Sequence, residues 1–534
     1  MIEAVEGNLN ISCNILQEIV YSETRKACST YWVKFHSKYG GVDISMNTML
    51  LIAVVVYELI LIGGVAWWLT RRSAKSAGSG AGFELAGRSL PVAVVAPTMA
   101  LTVLGTAHIL GIFELAWGMG GTALWFGLAN AVAIAIVCLT TGRWMRRLKL
   151  TTVPELLELM FGRNLRILVS CVMAGSIFGI LTLETQGLGI ILASMTGWSI
   201  ENGAVVGGVL GVLYVIFAGM KEVGWINLFN AILMYVSLIL ATIYIGLGLP
   251  EGFDGVSQHF VATDQAHMLT IFGPIDLLLT FALGLFVAVN LSVPVSQFFV
   301  QVAMSAKDER TISKALWIAV PLNGLFGVFT VVLGMTAKSL PEFSALGPKI
   351  ATPTMLVEML PTWLASLLLA SFLAAVLSTF AMTCLGAATI FSTDVYKRLF
   401  NNKATDAETA KVTRIAIIVL AVVAVVVASF LPPILAAIGW LLAWLIPVMW
   451  LVFSGLFWCR SNLAAGLTIG AAWGANMLWT FTTLPQALDA AQLPNAYIVL
   501  AVTLVVGLST NVVFRNSAPG YFRSGDYAAR MANT

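Results

Sequence analysis

Residues 372–386 read FLAAVLSTFAMTCLG, a long apolar stretch that carries two adjacent hydroxyls, Ser378 and Thr379. Hydroxyl and carbonyl oxygens are hard, uncharged ligands, suited to a monovalent cation that must shed its water without a full counter-charge. The carbonyl of Ala375, one turn earlier, offers a third oxygen. A Ser-Thr pair of this kind also serves plain packing, each hydroxyl bonding the carbonyl four residues back. A second group of chemistry-bearing residues is scattered through other apolar stretches. His108 and Glu114 lie in PTMALTVLGTAHILGIFELAWGMGG (97–121), and Glu184 and Gln186 in FGILTLETQGLGIIL (178–192). Asn290, Ser292 and Gln297 lie in GLFVAVNLSVPVSQFFVQ (284–301), with Trp440 and Trp444 further on. A carboxylate inside such a stretch costs a few kcal/mol and marks ligand contact by default. Paired with tryptophan it suits a cationic amine through charge and cation–π contacts, although tryptophans at membrane surfaces are also anchors. His108 is four residues after Leu104 and seven after Leu101. The three are therefore expected to share a helical face, where neutral imidazole bonds a ligand, carries a proton or simply packs.

These residues need elements to position them, and composition says which. The 534 residues are 59% hydrophobic and 10% charged, with a mean hydropathy of +0.91. Repeated apolar runs of about 20 residues match a bilayer core of about 30 Å, whereas a β-barrel would alternate over segments of about ten residues. The chain is therefore expected to be an all-α polytopic membrane protein. Thirteen spans are expected near 48–70, 91–118, 121–141, 165–196, 203–219, 225–248, 270–301, 313–337, 360–393, 412–431, 433–456, 463–483 and 496–514. The cysteines at 13, 28, 138, 171, 384 and 459 show no paired spacing, so neither a disulfide framework nor a zinc site is expected. The first apolar run is long enough to span, so no cleaved leader is expected.

The net charge of +3 hides a strong asymmetry. One set of loops carries Arg71, Arg72, Lys75, Arg88, Arg143, Arg146, Arg147, Lys149, Arg163, Arg166 and Lys221. It continues with Lys307, Arg310, Lys314, Lys397, Arg398, Lys403, Lys411, Arg414, Arg460, Arg515, Arg523 and Arg530. The opposite loops after the N-terminal tail hold Lys338 and Lys349. The positive-inside rule then places the N-terminus outside and the C-terminus in the cytoplasm of a cell (inner or plasma) membrane. Residues 1–45 are polar and aperiodic, and Met46 would be an ordinary start, so that tail is expected to be extracellular and dispensable.

Two spans carry interruptions. Gly105 and Gly111 flank the small-residue patch of span 2, and Pro294 follows Asn290 and Ser292 in span 7. Proline removes a donor and frees carbonyls, which hydrocarbon tolerates only beside protein or a wet cavity. Span 2 opens one set of five and span 7 the next, so the sets enter the membrane in opposite directions. Matched broken helices in inverted repeats point to a transporter's binding site.

Four segments carry a family resemblance over about 50–515: GFELAGRSLP (82–91), TVPELLELMFG (152–162), SQFFVQVAMSAKDE (296–309) and AAVLSTFAMTCLGAATIFSTDVYKRL (374–399). The chain resembles the sodium:solute symporter family of proline, pantothenate, glucose and choline transporters. The resemblance implies a LeuT-type fold of two inverted five-helix repeats, here 91–250 and 270–456. Around them lie a first helix with its cytoplasmic loop (46–90) and two C-terminal helices with a cytoplasmic tail (463–534). It further implies Na+ held by Ser378, Thr379 and the carbonyls of Ala375, Leu101 and Leu104. The solute site lies beside the Na+ site, between the broken spans and spans 4, 9 and 11. The hydroxyl and aspartate ligands of the second sodium found in some members match Ala381, Met382 and Asn227, so one Na+ per cycle is expected. Val103 stands where the proline branch has aspartate, while span 2 loosely resembles the choline branch. The expected function is Na+-coupled uptake of a small organic solute, amine or amino-acid-like, by alternating access. Proton coupling, a monocarboxylate solute and a transporter-like sensory protein are the alternatives. The last finds little support in the about 20 residues after the final span, too few for a kinase. No enzyme motif and no nucleic-acid partner are read from the sequence, and oligomeric state is left open.

Overall fold

The computed structural model describes residues 44–72, 80–428, 434–490 and 492–532. The expected tail over 1–45 therefore falls almost wholly outside the described residues. The chain divides into two units, 1–53 and 54–534. Of the first, only the opening turns of helix α1, Ile44–Arg72, are described; the helices from α2 onward belong to the second.

Backbone N–H and C=O groups in an apolar chain must pair within their own segment, and helices do this. Helices cover each of the thirteen expected stretches, though not always one apiece. Span 2 is two helices, α2 (Val92–Val103) and α3 (Thr106–Met119). After α4 (Leu124–Leu139) and α5 (Arg163–Thr196), spans 5 and 6 run together as α6 (Ile200–Gly248). The sequence pattern predicts a loop between them; instead Gly219 turns the chain at φ 60° and ψ −174°, a conformation that L side chains resist. Span 7 is again divided, into α7 (Leu283–Ser292) and α8 (Gln297–Met304). Then come α9 (Glu309–Ser339), α10 (Thr362–Ile390) and α11 (Asp406–Ala428). Span 11 is also broken, into α12 (Ile434–Ala443) and α13 (Ile446–Phe453). Helices α14 (Asn462–Phe481) and α15 (Asn495–Val513) close the bundle. One two-residue antiparallel pairing, β1 (Cys459–Arg460) with β2 (Ala518–Pro519), ties the end of span 11 to the C-terminal segment. Among the described residues, nine helical stretches are long and apolar enough to cross a membrane.

The helix that carries Ser378 and Thr379 is the centre of the packing. In α10 and its continuation, 89% of the most apolar window is buried in protein, against 28% in α15 and 33% in α11. The last two therefore face lipid, whereas α10 is enclosed. Small residues let its neighbours come close. A Cβ added at Gly386 would sit 2.9 Å from Cα and Cβ of Phe298 on α8, so only glycine fits there. Replacing Gly386 with valine should destabilise the protein by about 1–3 kcal/mol through overpacking. A lowered melting temperature of the purified protein in detergent checks this, and an unchanged one would count against the close approach.

Candidate functional site

The break in span 2 falls at Leu104–Gly105. Leu104 leaves the helical region at φ −85° and ψ 51°, while its N–H still reaches the Leu101 carbonyl at 3.0 Å. Gly105 is extended, at φ −89° and ψ −160°, and caps α3 with no side chain. A cut helix has two unlike ends: α2 stops on free carbonyls, the negative end, and α3 starts on free N–H groups, the positive end.

The negative end meets α10. Thr379 Oγ1 lies 3.1 Å from the Leu101 carbonyl and 3.3 Å from the Ala375 carbonyl. Ser378 is fully buried and its hydroxyl has no protein partner among the described residues. Three of the five expected Na+ ligands are thus gathered by direct contact. Ser378 adjoins them on the same helix, and Leu104 stands at the break itself.

The positive end meets α5. The Thr106 N–H donates to Glu184 Oε2 at 2.8 Å, and Glu184 is only 3% exposed. The fit is reciprocal. A Cβ at Gly105 would lie 2.7 Å from the Glu184 carboxyl carbon, and one at Gly187 would lie 2.6 Å from Thr106 Cβ. The sequence singles out Glu184 but not its helix-capping contact with Thr106. The signal lies in two glycines, each facing the other helix's polar residue.

The remaining expected solute contacts have surroundings of their own. His108 packs its ring 5.2 Å from Phe126 and 5.9 Å from Phe326, toward α4 and α9. The expected common face with Leu101 and Leu104 fails because extended Gly105 resets the helical phase between them. Gln297 is committed elsewhere: its Nε2 donates to the Thr151 carbonyl and its Oε1 accepts from the Val153 N–H, both at 2.9 Å. With both ends of its carboxamide in use it is a structural tie, not a lining group. Ser292 donates to the Leu442 carbonyl at 2.6 Å. It joins the break of span 7, where Ser296 is extended, to that of span 11. There Pro447 withholds a donor, and Ser176 and Trp473 satisfy the carbonyls of Leu441 and Trp444. Asn290 Nδ2 bonds the Phe286 carbonyl at 2.9 Å, leaving Oδ1 buried and unpaired among the described residues. Gln186 keeps a buried, unpaired Oε1 in the same sense, and Glu114 is half-buried toward the end of α3. Trp440 and Trp444 stack edge-on at 5.8 Å, and they reach Phe481 and Trp473 of α14 at 6.2 and 6.0 Å. Asn227 is fully buried and accepts from the Tyr214 hydroxyl at 3.3 Å.

The basic loops meet at one end of the bundle, and the four quoted motifs converge there. Arg88 donates to the Leu150 carbonyl, Arg146 to those of Ala306 and Lys307, and Arg163 to that of Arg398. Asp394 is fully buried and accepts from Arg166 and from Thr152 Oγ1, while Arg166 also pairs with Glu158. Nothing in the sequence marks this cluster, because each charge stands beside a loop, where it reads as wet. Glu84 is buried close by and accepts from Thr413 Oγ1 at 2.8 Å.

Discontinuous helices in corresponding places of two five-helix sets, with breaks facing an enclosed central helix, define a secondary transporter of the LeuT type. The chain belongs to the sodium:solute symporter family, whose model matches residues 83–475. It is 26% identical over 455 residues to the uncharacterized symporter YidK of Escherichia coli (strain K12), covering 80% of this chain and 77% of that protein. To the sodium/glucose cotransporter of Vibrio parahaemolyticus it is 23% identical over 472 residues, covering 81% and 84%. Its fold matches the substrate-bound outward-open state of a Na+-coupled sialic acid symporter with a TM-score of 0.72 at 18% identity, over 90% of this chain and 99% of that one. The protein is thus a multi-pass membrane symporter with a LeuT-type inverted-repeat fold.

Two measurements probe the basic end. Arg166→Ala leaves Asp394 buried without its cation and should cost about 3–5 kcal/mol, read as a lowered melting temperature. Burial raises the Glu84 carboxyl from 4.5 to about 7, so the folded chain holds that proton more tightly than the unfolded one. This contribution is fully present below pH 4.5 and is lost as pH rises through about 7. Melting temperature measured against pH should fall across that window in the wild type and flatten in Glu84→Gln.

Proposed function

We propose that the chain carries one Na+ per cycle into the cell together with a small organic solute, by alternating access. The observation that carries this reading is the meeting of Thr379 with the Leu101 and Ala375 carbonyls at 3.1 and 3.3 Å, beside a Ser378 hydroxyl that has no partner among the described residues. A neutral oxygen set at the negative end of a half-helix suits Na+, which it holds without a carboxylate. The Leu104 carbonyl would complete the set. Ala381, Met382 and Asn227 supply neither hydroxyls nor a carboxylate for a second ion, which supports a stoichiometry of one. The solute would sit next to the ion, where Glu184 closes the other side of the break, with Gln186 and Asn290 as further polar contacts. Trp440 of α12 and Trp444 at the break after it would border it.

The family and its Na+-coupled relatives support sodium over proton as the coupling ion. The buried imidazole of His108, without a partner among the described residues, faces aromatic rings rather than the break. The basic end would face the cytoplasm, in accord with the positive-inside rule, and its ties between α5, α8 and α10 would form the inner closure of the transport path.

Ser378→Ala and Thr379→Ala should each raise the Na+ concentration for half-maximal uptake about tenfold, the effect of about 1.4 kcal/mol of lost ion binding. Uptake into proteoliposomes under separate Na+ and proton gradients reads both the coupling ion and the effect. An unchanged sodium dependence would sink the site, and a measured coupling of two ions would sink the stoichiometry.

A further inference from the structure

The positive end of a broken helix is where a transporter ordinarily receives the anionic group of its solute. Here that position is taken by the chain itself. Glu184 is 3% exposed, accepts the Thr106 N–H at 2.8 Å, and is let in by the missing side chain at Gly105. A solute carboxylate would have to displace it or lie beside a like charge in a dry site, and either is costly.

Part of the carboxylate's charge stays uncompensated. A helix start supplies about half a positive charge. No lysine, arginine or histidine pairs with Glu184 among the described residues. His108, three residues past Gly105, is turned toward Phe126 and Phe326. The proposed ion lies at the opposite end of the break, among neutral oxygens. A buried carboxylate with half its charge answered takes up a proton or a cation from outside the chain, and a cationic solute can take the proton's place.

We propose that the transported solute carries a protonated or quaternary ammonium group, that Glu184 is its counter-charge, and that simple monocarboxylates are excluded. This rests on the reading that solute binds at the break beside the ion. Sodium binding is measured separately so that the two can fail separately.

The test uses the full-length protein in detergent, with melting temperature followed in Na+ alone and then with choline, butylamine, glucose, acetate or pyruvate added. Choline or butylamine should raise the melting temperature in the presence of Na+, and acetate and pyruvate should neither raise it nor compete. Glu184→Gln should weaken the ammonium probe at least tenfold while leaving the shift caused by Na+ alone in place, and Glu184→Asp should retain part of the affinity. Stabilisation of the wild type by acetate or pyruvate, or by neither ammonium probe, overturns the proposal. So does a Glu184→Gln variant that binds the ammonium probe as the wild type does, or one that alters only the Na+ response. Should Glu184→Gln fail to fold, competition between pyruvate and choline on the wild type still decides. Absence of any shift with Na+ alone would count against the ion site instead.

Discussion

The backbone of a membrane helix cannot be cut without consequence, because each freed N–H or C=O must be answered where water is scarce. The interruption at Leu104–Gly105 is the point on which the rest of this structure depends. Its two ends demand opposite things: the end of α2 wants donors or a cation, and the start of α3 wants an acceptor or an anion. The chain answers the first with Thr379 of α10 and the second with Glu184 of α5. One discontinuity thereby meets a hydroxyl at one end and a carboxylate at the other, within a few residues of each other.

The other breaks are answered differently, and the contrast is informative. At span 7 the hydroxyl of Ser292 goes to a carbonyl of the broken span 11. At span 11 the carbonyls of Leu441 and Trp444 are taken by Ser176 and Trp473. These freed groups find partners within the protein, whereas the hydroxyl of Ser378 finds none among the described residues. The ties at the basic end add the restraint, since Gln297 and Asp394 join the second repeat to the loop and helix that lead into α5.

Much of this is legible in the residues. Hydropathy locates the helices, and the loop lysines and arginines mark the side on which the basic contacts gather. Of the Ser-Thr pair, Thr379 lies against the Leu101 carbonyl. What fails does so for local reasons. Helical spacing from Leu104 to His108 assumes a regular backbone, and extended Gly105 breaks the phase. Gln297 reads as a polar group in an apolar run, yet its amide is spent on Thr151 and Val153, which are far away in sequence. The hydropathy pattern parts spans 5 and 6 with a loop, but a single glycine at positive φ makes the turn. Pairings over more than a hundred residues, such as Arg166 with Asp394, leave no periodic trace.

The glycines at the break also couple two helices. Gly105 makes room for the carboxylate of Glu184, and Gly187 makes room for Thr106. Helices α3 and α5 therefore interlock like two teeth and two gaps, and neither can slide along the other by even one residue. Whatever rocking opens and closes the path, these two helices must move as one rigid arm, and the flexing has to be found elsewhere.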